Sequence, residues 1–175
     1  MPFEVRSMDL TIRPVDLSDS EAIAAIYDHH ARTGTATFDH RGPSPKDWAD
    51  TIRSIRRRGW PFLAATIDDR VVGYAYATQF RDRPGYAKTC ENSIYVAAEH
   101  VGQGIGRDLL DGLVAAARHF GFEQMIAVIG GGEPASIALH RSLGFVERGR
   151  MRDVGMKFGR RLDTIYLQLD LRGEG

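Results

Sequence analysis

The 175-residue chain has few of the features that mark a secreted, membrane-bound or nucleic-acid-binding protein. A single cysteine, Cys90, excludes an internal disulfide and suits a reducing compartment. No apolar run approaches the roughly 20 residues needed to span a bilayer, and the opening stretch MPFEVRSMDL lacks the apolar core of a signal peptide. Together these absences predict a cytoplasmic protein. Neither sign of charge dominates: 23 Lys and Arg balance 23 Asp and Glu, so no global field favours nucleic acid or a membrane. The local cluster Arg53, Arg56, Arg57 and Arg58 reads as a solvated helix face. His29 and His30 are adjacent rather than spaced around one ion, and no cysteine or carboxylate pattern completes a set, so no metal is expected. Internal repeats and low-complexity tracts are also missing.

What is present fits one globular domain over residues 8–172 behind a leader, residues 1–7, with Met8 a candidate native start. Leu10 to Arg13 forms a short strand stopped by Pro14. Ser18 is the expected N-cap of a helix from about Asp19 to Arg32, ended by Gly34. Thr33 to Phe38 is a polar, β-prone connector, and Ser44-Pro45 opens a second helix with Trp48, Ile52 and Ile55 along one core-facing stripe. Phe62 to Ile67 and Val71 to Phe80 make a hairpin about Asp68-Asp69-Arg70, and Arg81 to Lys88 is a polar loop. A helix is expected from Ile105 to Phe120, a buried strand from Gln124 to Ile129, and a helix from Pro134 to Leu143. The tail gives two strands, Phe145 to Met151 and Thr164 to Leu171. The order β-α-α-β-β-β-α-β-α-β-β predicts an α/β domain with a mixed sheet.

The stretch ENSIYVAAEHVGQGIGRDLL, Glu91 to Leu110, organises the rest: a strand, a turn with Gly102, Gly104 and Gly106 at alternate positions, and the start of a helix. Glycines allow positive φ and close backbone approach, and the first helical turn offers unpaired N–H groups at the positive end of the dipole, which outlines an anion site. A Walker A loop would need Gly-Lys-Ser/Thr, but Arg107 and Asp108 follow Gly106. A dinucleotide fingerprint counted from Gly102 would need glycine or alanine where Arg107 stands, and no acidic residue ends the strand from Gln124 to Ile129. Val101 to Gly106 instead resembles the acetyl-CoA loop Gln/Arg-x-x-Gly-x-Gly/Ala of the GNAT family of N-acetyltransferases, with Val101 in place of the usual Gln or Arg. The stretch from Pro134 to Phe145 resembles the same family's Asn-x-x-Ala-x-x-Leu-Tyr-x-x-x-Gly-Phe helix.

Glu91 to Val96, Ala127 to Ile129, Ala135 to His140, Gly155 to Asp163 and Thr35-Ala36-Thr37-Phe38 narrow the resemblance to the phosphinothricin and methionine sulfoximine N-acetyltransferases. It implies one GNAT domain, a mixed, mostly antiparallel sheet flanked by helices. The implied reaction moves an acetyl group from acetyl-CoA to the α-amino group of a small glutamate-like amino acid analogue; the subfamily's nearest members act on herbicidal or antimetabolite amino acids, often as dimers. It also implies cofactor contacts from Ile94, Tyr95 and Val96 along the pantetheine arm and from the amides of Gly102, Gln103, Gly104, Ile105, Gly106 and Arg107 around the pyrophosphate. Glu133 replaces an asparagine that contacts pantetheine, and Arg161 replaces a tryptophan of the subfamily's Lys-Phe-Gly-Arg-Trp-x-Asp. His140 stands where many members carry a tyrosine thought to protonate the departing thiolate, and Phe38 belongs to the segment lining the acceptor side.

The chemistry constrains the residues independently of the name. An amino-acid ammonium must lose a proton before it can attack, so a base is needed, with an oxyanion donor and a proton for the thiolate. Glu91 is the candidate base because Glu91, Ser93 and Tyr95 share one face of a strand. Arg81, Arg83 and Tyr86 on the preceding loop, with Asn92 and Ser93, are candidates for binding an anionic substrate. Two other functions stay open: acetylation of a peptide N-terminus or polyamine, and acetyl-CoA binding without turnover.

Overall fold

The computed structural model describes residues 9–173, so the expected leader and Met8 lie outside the described residues. Seven strands and four α-helices follow in chain order: β1 (Leu10–Pro14), α1 (Ser20–Thr33), α2 (Pro45–Arg57), β2 (Phe62–Ile67), β3 (Arg70–Gln79), β4 (Thr89–Val96), α3 (Ile105–Phe120), β5 (Gln124–Gly130), α4 (Pro134–Ser142), β6 (Val146–Lys157) and β7 (Arg160–Asp170). They build one sheet in the order β1-β2-β3-β4-β5-β7-β6. Only β4 and β5 run parallel; the other neighbours are antiparallel.

Helices cover both faces of the sheet. Leu109, Leu110, Leu113 and Ala117 recur at helical spacing on α3 and pack on Ala65, Ala75, Cys90 and Met125. On the other face Ile23 and Ile26 of α1 join Trp48, Ile52 and Ile55 of α2 over Phe62, Ala64 and Tyr74. Each large aliphatic group removed from water this way contributes roughly 1.5–3 kcal/mol. Strand β2 and the middle of β3 are buried under helices on both faces, where the small residues Ala64, Ala65, Gly73, Ala75 and Ala77 stand. A Cβ on Gly73 would stand 3.0 Å from Leu109 Cδ1 and 3.1 Å from the Tyr95 carbonyl oxygen, so the bare position lets α3 pack closely on the sheet.

Local chemistry sets most boundaries. Ser44 and Asp47 cap α2 reciprocally, with Pro45 in the first turn. Asp68 and Asp69 both take positive φ, 48° and 62°, the two-residue turn whose twist suits a hairpin. The expectation that Ser18 caps α1 is corrected: Asp16 caps a 3₁₀ turn, Leu17–Asp19, that runs into α1. Asp19 is buried against Arg13, with oxygen–nitrogen distances of 2.7 and 2.8 Å, and accepts the Asp16 amide at 2.7 Å. With that carboxylate anchored, the chain begins to wind at Leu17, two residues before the expected start. The last hairpin is longer than expected, because β6 and β7 continue through Lys157 and Arg160 to a Phe158-Gly159 turn with φ of 49° and 70°. A register irregularity between Met151 and Gly155, with Asp153 at φ 55°, breaks the alternation by which the sequence would have shown it.

Candidate active site

The site is built where β4 and β5 part. Their parallel ladder stops at Asn92 opposite Ala127, although β4 continues to Val96 and β5 to Gly130. Beyond Asn92 the β4 main chain keeps β3 on one side and has no strand on the other, which leaves backbone polar groups facing an open wedge. Two cavities fill it and share the walls Ala36, Ile94, Tyr95 and Ser136. One, of about 170 Å³, is lined by Glu91, Asn92, Ser93, Thr37 and His140. The other, of about 360 Å³, runs along Ile94 to Val96 to the turn of Gly102, Gly104, Gly106 and Arg107.

The glycine turn suits an anionic ligand on its own geometry. Gly102 and Gly104 take φ of 83° and 85°, and a Cβ on either would meet no atom within 4 Å, so the bare backbone faces open space. Among the described residues, no backbone or side-chain acceptor takes the amides of Gly102, Gln103, Gly104, Ile105 or Gly106. Arg107 differs from the expectation: its amide bonds the Gly104 carbonyl at 3.0 Å, leaving its guanidinium, 3.1 Å from Ser142 Oγ, at the groove. Ile105 sends its side chain into the core, and Gln103 turns its side chain to Glu99 and His100. The Val96 carbonyl accepts from His30 Nε2 at 2.8 Å, so His30, considered from sequence only as a metal ligand, is a wall of this groove. Glu133 lines neither cavity; its carboxylate accepts from Thr35 Oγ1 and ties the connector after α1 to the start of α4.

Glu91 and His140 line the same cavity. Burial pushes the Glu91 carboxyl above its ordinary value, and Arg81, with Nη1 3.6 Å from Oε2, pulls against that shift. A carboxylate so raised is a better proton acceptor than an exposed one. His140 is 2% exposed. Its Nδ1 lies 2.7 Å from the Ser136 carbonyl, which can only accept, so Nδ1 carries the proton. Nε2, 3.2 Å from the Asn92 amide, is then an acceptor in the neutral ring, and burial lowers the imidazole below its ordinary 6.5 despite the Ser136 bond.

The loop residues separate. Arg81, Arg83 and Tyr86 are all exposed and line neither cavity; Arg81 alone of the three meets Glu91, and the Tyr86 ring packs edge-on to Phe80 at 5.6 Å. Phe38 lies beside the site over Gly130 and Gly155, in a small hollow with Ala36 and Val128. Arg161 is exposed on β7. Among the described residues, no three His, Cys, Asp or Glu side chains converge as metal ligands, and no helix is long and apolar enough to cross a membrane.

The splayed strand pair, the amide-lined turn at a helix start and the half-buried Glu91 carboxylate suit a ligand that carries phosphate at one end and a proton-transfer step at the other. A family model described as "Acetyltransferase (GNAT) domain" matches residues 12–166, and the chain belongs to that family. It is 43% identical to the phosphinothricin N-acetyltransferase of Alcaligenes faecalis, over 92% of this chain and 82% of the relative. It is 38% identical to the L-methionine sulfoximine/L-methionine sulfone acetyltransferase of Salmonella typhimurium, over 93% and 95%. The crystal structure of a GNAT superfamily phosphinothricin acetyltransferase from Sinorhizobium meliloti in complex with AcCoA superposes with a TM-score of 0.90 at 43% identity, covering 93% of this chain and 89% of that one.

Proposed function

We propose that this acetyl-CoA-dependent N-acetyltransferase acetylates the α-amino group of a small glutamate-like amino acid analogue of the phosphinothricin or methionine sulfoximine type. The observation that carries the reading is the shared wall of the two cavities. A groove with unpaired amides at one end adjoins, across Ile94 and Tyr95, a chamber of about 170 Å³ lined by a carboxylate with a raised pKa. The chamber is of a size for one small amino acid, and the relatives' acceptors support that class.

In the proposed step Glu91 takes a proton from the acceptor ammonium, and the freed amine attacks the thioester carbonyl. The resulting oxyanion is met by β4 amides on the side without a strand partner. Collapse breaks the carbon–sulfur bond, and the thiolate takes the second proton of the acylated nitrogen. His140, unprotonated on the nitrogen toward Asn92, holds that amide in place and supplies no proton. Arg81, 3.6 Å from Glu91, steadies that carboxylate and is the loop arginine we assign to the acceptor carboxylate. The β6 edge exposes Met151, Val154 and Met156, with Phe158 at the turn, an apolar strip that supports a homodimer. A thiol-release assay over amino acids, peptides and polyamines tests the acceptor class: release only with small amino acids supports the reading, and release only with peptides or polyamines overturns it.

A further inference from the structure

The roof of the acceptor chamber is a segment without helix or strand, Gly34 to Phe38, between α1 and α2. Ala36 and Thr37 line the chamber, so their position sets its depth over Glu91. Side chains hold this strap at three points: Thr35 by Glu133, the Thr37 hydroxyl by Tyr27 at 2.8 Å, and the Thr37 carbonyl by the Lys157 ammonium at 2.7 Å. Lys157 ends β6 and is 1% exposed. Lysine is almost never this buried without a paired charge, and here its one hydrogen-bond partner among the described residues is a main-chain oxygen; the Phe158 ring lies 5.2 Å from Nζ, and Asp39 acts on it only through its charge. A methionine of similar length would fill the same space with no ammonium to desolvate, so packing alone gives no reason for the charge. What the ammonium adds is a directed donor to a carbonyl in a segment that no sheet or helix fixes.

We propose that Lys157 is a positioning residue for acetyl transfer: through the Thr37 carbonyl it fixes the chamber roof, so that acceptor fit depends on the β6–β7 hairpin. The role rests on the reading of the chamber as the acceptor site. Lys157→Met keeps length and removes the donor. It should speed amide hydrogen exchange across residues 34–38 and lower kcat/KM for the acceptor at least tenfold, mainly through KM, with acetyl-CoA affinity by calorimetry within twofold of wild type. Gly155→Ala reaches the strap from another side with Lys157 intact, because its Cβ would stand 2.5 Å from Phe38 Cε2, and it should give the same kinetic split if Lys157→Met folds poorly. Unchanged exchange in the strap overturns the tie. Faster exchange with unchanged acceptor kinetics, or an equal loss of acetyl-CoA affinity, overturns the positioning role. A wild type that transfers acetyl to no amine overturns the acceptor reading and the kinetic role with it, while exchange still reports whether Lys157 holds the strap.

Discussion

Replacing Glu91 with glutamine separates a base from a substrate-positioning group. Glutamine keeps the size and most of the hydrogen bonding of the side chain and cannot take the ammonium proton. The fold should tolerate it. The lost ion pair with Arg81 spans 3.6 Å between side chains 51% and 32% exposed, a setting in which such pairs contribute little. The carboxyl is also raised by burial, so at neutral pH the folded state carries a charge it would hold more readily when unfolded, and Glu91→Gln should leave Tm unchanged or higher. Activity should fall by roughly 10²-fold or more at pH 7, the lower end of general-base contributions. The ratio of wild type to variant should then shrink with pH. Wild type works on the ammonium and is flat between the titrations of Glu91 and the amine; the variant uses only the amine already free in solution, a fraction that grows about tenfold per pH unit below the amine pKa. Steady-state thiol release at saturating acetyl-CoA from pH 6 to 9.5 reads both curves. A constant ratio across that range, with acceptor binding intact, would refute the base and leave Glu91 as a positioning group.

Acetyl-CoA should raise Tm in proportion to its concentration over Kd, with NADH or ATP at the same concentration having little effect; equal protection by NADH would remove the cofactor reading. Gly104→Val should weaken acetyl-CoA binding by calorimetry at least tenfold while costing about 1–2 kcal/mol of stability, since a β-branched residue is strained at φ 85° though its Cβ meets nothing. His140 is held neutral, so protonating it costs the folded state: stability should fall as pH drops below about 6.5, and His140→Gln should flatten that slope. The same neutrality predicts that wild-type kcat has no descending limb between pH 6.5 and 8; such a limb, lost in His140→Gln, would make His140 the thiolate's acid. Ile52→Ala removes a side chain with no exposed surface between α2 and the sheet and should cost about 2–5 kcal/mol in urea unfolding, without changing acetyl-CoA affinity.

Local rules written in the sequence determined the strands, the helices and the ligand turn. Ser44-Pro45, Asp68-Asp69 and Gly121 mark boundaries through caps and positive φ, which depend on a few neighbouring residues, and the structure keeps them where the sequence puts them. Gly102 and Gly104 announce a bare backbone for the same reason, and the order of elements around them carries the family resemblance. Tertiary structure decided which of the named side chains meet. Arg81, Arg83 and Tyr86 lie within six residues of one another, but only Arg81 turns toward Glu91, because the direction of each side chain depends on a loop path that no periodicity records. His140 is an ordinary helical histidine in the sequence; Ser136 and Asn92 around it choose its tautomer. Lys157, among charged residues of an irregular strand, looks solvated until β6 and the strap after α1 come together across 120 residues of chain. Contacts at that separation follow from how the whole sheet closes on itself, and a reading of local pattern has no term for them.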